Sequence, residues 1–198
     1  MIRIAIVDDE SLVAQSLATL LSLEEDLEVV AVAASGEELL EWWRRGQELD
    51  VCVCDLQLGG IDGIETARRL GEVGVLIVTS HARPRALKEA LAAGVRGFLP
   101  KTSTAADFAA AIRAVHAGRR HIDPELAAWT ISAGESPLTE RETELLELAG
   151  RGGSVEDIAA AAHLAPGTTR NYLSSAMAKV GAQNRFEAYT RARERGWI

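Results

Sequence analysis

Cysteine is almost missing from this 198-residue sequence, with Cys52 and Cys54 the only two. They lie within the apolar run Val51-Cys52-Val53-Cys54 and are expected not to pair, which excludes a disulfide scaffold. Two thiols are also too few for a zinc or iron–sulfur site. No apolar run approaches the ~20 residues that a membrane span needs. The start, Met1-Ile2-Arg3-Ile4, lacks the charged region and long apolar stretch of an export signal. Internal repeats and low-complexity tracts are missing too. These absences lead to the expectation of a reduced, cytoplasmic protein with no membrane partner. What is present, 47% apolar and 25% charged residues, is the composition of an ordinary globular chain. At ~150 residues per domain, the length suits one large domain or two small ones.

Negative charge is unevenly spread. Residues 138–198 balance eight acidic side chains against eight basic ones, so the first 137 residues carry the whole net charge of −8. Within 164–198 six basic residues face only Glu187 and Glu194, a local +4. An acidic front and a locally basic tail imply two domains, of which only the tail would favour a polyanion.

Up to residue 118, short apolar runs (Ile2–Val7, Val29–Ala33, Val51–Cys54, Val75–Val78, Val95–Leu99) alternate with amphipathic stretches. Val13, Leu17, Leu20 and Leu21 share one helical face, and Gly46, Gly71, Gly94 and Gly118 stop later helices. Five strands alternating with five helices predict an α/β fold, a five-stranded doubly wound parallel sheet over residues 1–118. Residues 119–137, with turn signals at Asp123-Pro124 and Ser136-Pro137 around a short helix-compatible stretch, are expected to be a linker. Residues 138–198 carry four helical stretches and no strand pattern, a small all-α four-helix unit. Thr139 with Glu142 and Ser154 with Asp157 are helix-opening pairs, and Pro166 suits a first turn.

In such a sheet, chemistry collects at the carboxyl ends of the strands. Asp8, Asp9 and Glu10 follow the first strand, Asp55 the third, Thr79 and Ser80 the fourth, and Lys101 the fifth. Any one of these alone is equally well a turn former or a helix cap. Together, the carboxylates repel one another unless a cation sits among them, and Mg²⁺ prefers such hard oxygen ligands. A carboxylate flanked by metal, ammonium and hydroxyl is suited to accept a phosphoryl group, with Asp55 as nucleophile and Lys101 and Thr79 facing the phosphoryl oxygens.

In the tail, Thr169, Leu173, Ala176 and Val180 mark the buried side of the third helix. The opposite side offers Asn171, Ser174, Ser175 and Ala178, with Arg170 on its border. This is either a solvated face or one that enters a major groove, where Arg can pair with guanine and Asn with adenine. Thr168, Tyr172 and Lys179 lie to the side, better placed for phosphates.

Residues 1–118 resemble the receiver domain of two-component response regulators through Ile6-Val7-Asp8-Asp9-Glu10, Cys54-Asp55-Leu56-Gln57-Leu58, Val78-Thr79-Ser80 and Gly97-Phe98-Leu99-Pro100-Lys101. Residues 138–198 resemble the LuxR-type helix-turn-helix domain of NarL/FixJ-class regulators. They do so through Leu138-Thr139-Glu140-Arg141-Glu142, Val155-Glu156-Asp157-Ile158-Ala159, Gly167–Ser174 and Ala182–Ala188. Gly167–Ser174 and the ending Arg191-Ala192-Arg193-Glu194-Arg195-Gly196-Trp197 resemble the DesR-like subgroup. The resemblance implies that Asp9, Asp55 and the Gln57 backbone carbonyl ligate Mg²⁺, with Asp8 acting mostly through water. It implies that Asp55 takes its phosphoryl group from a sensor histidine kinase. Thr79 and Lys101 would then be drawn inward, and Phe98 would follow into the vacated space. It further implies a homodimer on phosphorylation, through either of two receiver faces, that binds promoter DNA. The chain departs from the pattern in lacking the proline usual after the acceptor loop (Gln57-Leu58-Gly59-Gly60), in Thr102 after the lysine, and in Thr169 where valine is usual. Two alternatives stand beside this reading. One is an atypical regulator whose receiver dimerises without phosphate. The other is an Mg²⁺-dependent aspartyl phosphatase, for which Gln57 stands where a second aspartate is wanted. Otherwise the chain is not an enzyme beyond its own phosphoryl transfer and dephosphorylation.

Overall fold

A computed structural model describes residues 1–80 and 83–198. The chain forms two compact units, residues 1–127 and 128–198.

The first unit is built on β1 (Ile2–Val7), β2 (Leu27–Ala33), β3 (Val51–Asp55), β4 (Gly74–Thr79), β5 (Gly97–Pro100) and β6 (His121–Ile122). They pair in parallel in the order β2-β1-β3-β4-β5-β6. The expected five strands are present, and β6 is added at the edge beyond β5. Helices α1 (Ser11–Leu21), α2 (Gly36–Arg44), α3 (Gly63–Leu70), α4 (Pro84–Ala92) and α5 (Ala105–His116) connect the strands. Alternation along each strand sorts the core into two layers. Ile4, Ile6, Val51, Val53, Leu76, Val78 and Leu99 pack with Phe108 and Ile112 of α5 and Leu21 of α1. Ala5, Val7, Cys52, Cys54, Ile77 and Phe98 pack with Leu39, Ile64 and Leu87 of α2, α3 and α4. Cys52 and Cys54 are therefore on the same face, as an i, i+2 spacing requires, and both are free and buried.

The segment expected as a linker, 119–137, contains β6 and the helix α6 (Pro124–Ala133). Ile122 pairs with Phe98, and Leu126 is buried in the α2–α4 layer. The first unit thus extends past residue 118 because this segment still has apolar side chains that the sheet can cover.

The second unit contains α7 (Glu140–Gly150), α8 (Val155–Ala161), α9 (Pro166–Val180) and α10 (Arg185–Glu194), in the expected order. Thr139 with Glu142 and Ser154 with Asp157 close reciprocal capping boxes, and Asn184 caps α10. Leu145, Leu146, Ile158, Leu173, Ala176, Val180 and Ile198 form its core. Thr169 is fully buried without penalty, because its hydroxyl donates to the Ala165 carbonyl at 3.2 Å.

Candidate phosphoryl-acceptor site and nucleic-acid interface

The sheet order places β2 on one side of β1 and β3 on the other, so the chain changes direction between β1 and β3. A crevice opens at such a point, beyond the carboxyl ends of the strands. Asp8 leaves β1 there and Asp55 ends β3, both buried, while Asp9 is exposed. Each of the three offers a carboxylate oxygen within 4.8 Å of the others. Lys101 arrives from the end of β5, held by its amide to the Thr79 carbonyl at 2.9 Å. Its ammonium lies 2.7 Å from Asp8, 2.9 Å from Glu10 and 3.0 Å from Asp55.

One ammonium among four carboxylates leaves a strong negative excess in a crevice that excludes much of the water. Burial pushes the Asp55 carboxyl above its usual range, and the Lys101 ammonium only partly opposes this. Burial works against the Lys101 charge too, yet its bonds to Asp8, Glu10 and Asp55 outweigh that and raise its pKa. Such a donor set, all hard oxygen with one face open, fits a small divalent cation. A cavity of about 330 Å³ borders Asp8, Asp55 and Lys101 and is also lined by Leu12, Leu17 and Phe108.

Thr79 is buried at the end of β4, beside β5 through its pairing with Pro100. The Gln57 amide donates to Asp55 Oδ1 at 3.3 Å, which brings the loop after β3 back over the carboxylate. Phe98 is 1% exposed, inside the α2–α4 layer. Position on β5 decides this, since Phe98 falls on the inner parity of a strand with helices on that face.

In the second unit Arg170, Asn171, Ser174 and Thr168 are exposed along α9, and Tyr172 is half-buried. Arg170 forms a 2.8 Å pair with Glu156 of α8, both well exposed. Such a pair is worth only ~0–1 kcal/mol, so the guanidinium is readily released to another acceptor. Lys179 is differently placed: its ammonium lies 2.7 Å from Glu142, which is buried and also accepts from Ser175 at 2.6 Å. Burial would raise the Glu142 pKa, but Lys179, Ser175 and the Thr139 amide hold it down at about 2. In the sequence Glu142 is the partner of Thr139 at a helix opening. The capping box satisfies it locally and gives no signal of a partner 37 residues away.

Comparison with known proteins agrees with both halves. Residues 4–113 match the response regulator receiver domain, and residues 136–192 match the bacterial regulatory proteins of the luxR family. The chain is 39% identical over its whole length to the whole of the transcriptional regulatory protein DesR of Bacillus subtilis strain 168. The chain is a LuxR-type response regulator. The uncharacterized transcriptional regulatory protein YvfU of the same organism is 40% identical to this response regulator, again over both full lengths. Among solved structures, the response regulator ChrA of a heme-sensing two-component system is 32% identical. It covers 100% of this response regulator and 98% of its own chain, with a TM-score of 0.59.

Proposed function

We propose that this response regulator accepts a phosphoryl group on Asp55 from the phosphohistidine of a sensor kinase, dimerises, and reads promoter DNA through α9. The observation that carries the reading is the convergence of Asp8, Asp9, Asp55 and Lys101 at one strand-end crevice. Asp8, Asp9 and Asp55, with the Gln57 backbone carbonyl, are the groups that would hold Mg²⁺. Bound there, the ion supplies positive charge against the phosphoryl oxygens.

An Asp55 carboxylate oxygen attacks phosphorus in line. The new O–P bond forms as the P–N bond of the phosphohistidine breaks, and the electron pair leaves with the imidazole. Lys101, already drawn to Asp55, neutralises charge on the transferred group. The Thr79 hydroxyl is the switch, donating to a phosphoryl oxygen, while the enclosed Phe98 ring transmits any shift of β5 through packing. Dimerisation doubles the phosphate contacts of a tail unit that has no net charge, and binding then becomes strongly salt-dependent. Arg170, Asn171 and Ser174 face base edges, and Thr168 and Tyr172 face phosphates. Lys179 would reach a phosphate only by leaving a buried carboxylate, so its part is to set the angle of α9. A regulator that works alongside promoter DNA is assigned to the cytoplasm on this reading.

The test is incubation with acetyl phosphate and Mg²⁺, followed by peptide mapping. Label on Asp55, lost on hydroxylamine treatment as an acyl phosphate must be, supports the reading, and label elsewhere refutes it. A backbone neighbour gives a sharper check. A Cβ on Gly63 would lie 2.2 Å from the Asp55 carbonyl oxygen, so Gly63→Ala displaces the acceptor. Phosphoryl uptake is expected to fall roughly 100-fold in that variant. On the DNA side, Arg170→Ala and Asn171→Ala should each weaken site-specific binding by ~1–3 kcal/mol and relax base preference in gel-shift competition.

A further inference from the structure

The loop that carries the acceptor, residues 56–62, lacks the stiffness that a proline gives: it reads Leu-Gln-Leu-Gly-Gly-Ile-Asp. Its ends are tied, by the Leu56 amide to the Val78 carbonyl at 2.9 Å and by the Gly63 amide to the Leu56 carbonyl at 3.1 Å. Two adjacent glycines between those ends leave the backbone many conformations to lose. Something else must fix the path over Asp55.

The first turn of α2 is placed to do so, and two independent contacts show it. Gly36 lies so close to the far end of the loop and to α3 that a Cβ there would fall 2.1 Å from Thr66 Oγ1 and 2.8 Å from Ile61 Cγ1. The next residue, Glu37, accepts a hydrogen bond from the Ile61 amide through Oε1 at 2.9 Å. The same oxygen fills the space under Gly60, where a Cβ would approach to 2.5 Å, and Gly60 has a φ of +90°. The Ile61 amide also holds the Glu37 carboxyl below its usual range, so Glu37 is charged when it makes this bond.

We propose that Glu37 is a positioning residue for the acceptor site. Its carboxylate locks the Gly59-Gly60 turn and thereby holds the Gln57 carbonyl toward the cluster of Asp8, Asp9 and Asp55. This rests on the reading of that cluster as a Mg²⁺ and phosphoryl site. Glu37 touches neither group. It acts through one loop amide, from a helix that contributes no other group to the chemistry.

The experiment compares full-length wild type, Glu37→Ala and Glu37→Gln by titration with Mg²⁺ alone in a calorimeter, with urea unfolding run in parallel. Glu37 is exposed and makes one bond to the loop, so the urea midpoint should fall only slightly in either variant. In Glu37→Ala the Mg²⁺ dissociation constant is expected to rise about tenfold, the size seen when an outer partner of a metal site is removed. Faster hydrogen exchange at the Ile61 amide should accompany it. Glu37→Gln keeps an acceptor at the same place and should restore wild-type affinity and protection. Wild-type affinity in Glu37→Ala, or a loss in Glu37→Gln equal to that in Glu37→Ala, overturns the proposal. Failure of the wild type itself to bind Mg²⁺ instead overturns the reading of the acidic cluster, and with it this one.

Discussion

Asp55→Ala is expected to abolish phosphoryl labelling altogether, with no residual label on Asp8 or Asp9. The reason is positional. Asp55 ends the central strand β3, flanked by β1 and β4, with its Oδ2 3.0 Å from the Lys101 ammonium and its Oδ1 under the Gln57 amide. Asp8 is equally close to Lys101, and its Oδ1 likewise accepts from the amide two residues on, that of Glu10 at 2.9 Å. It leaves β1 on one flank of β3, so on this reading Asp8 has the metal-holding part and Asp55 takes the phosphoryl group. The variant should remain folded, because Lys101 keeps Asp8 and Glu10 as partners and one repelling carboxylate has gone. Labelling with radioactive acetyl phosphate, beside a circular dichroism melt, separates loss of chemistry from loss of fold. Retained label at wild-type stoichiometry would discard Asp55 as acceptor.

The second large effect lies in the DNA-binding unit. Glu142→Gln is expected to cost roughly 3 kcal/mol of that unit's stability at neutral pH. The buried carboxylate joins the start of α7 to α9 through Ser175 and Lys179, so its charge is used across two helices. The sign follows from the direction of its pKa. Held at about 2 when folded, against the ordinary carboxylate value when unfolded, Glu142 stabilises fully above the unfolded value. That contribution drains away as pH falls from ~4.5 toward 2. Hydrogen exchange of core amides in α7 and α9, measured as a function of pH, should show a larger acid loss in wild type than in Glu142→Gln, where the lowered Asp157 carboxyl still contributes. A wild type that keeps full protection at pH 3 would remove the charge from the account.

Most of the receiver site was legible in the sequence because strand ends are local features. Apolar runs closed by Asp8, Asp55, Thr79 and Lys101 mark both the strand and the place where it stops. The parallel order then brings those ends together without further information. What escaped depends on partners far apart in the chain. The β6 strand is only His121–Ile122, too short to show an alternation, and exists because β5 offers it an edge. Lys179 looked like a free cation on a helix flank, since nothing near it in sequence names Glu142. Glu37 is an acid in a helix's first turn, a common feature that carries no signal in sequence, and only the position of Ile61 gives it another task.

The most direct measurement of the central claim is the DNA affinity of the full chain with and without phosphoryl on Asp55. A binding site selected from random duplexes by the acetyl-phosphate-treated protein would serve, read by fluorescence anisotropy at fixed salt. Treatment in the presence of Mg²⁺ should tighten binding by roughly 5–150-fold, the usual range for coupling between two sites. Asp55→Ala should show no change on treatment. Equal affinity of treated and untreated wild type would contradict the account, leaving a receiver whose acidic site has no hold over the helices that read DNA.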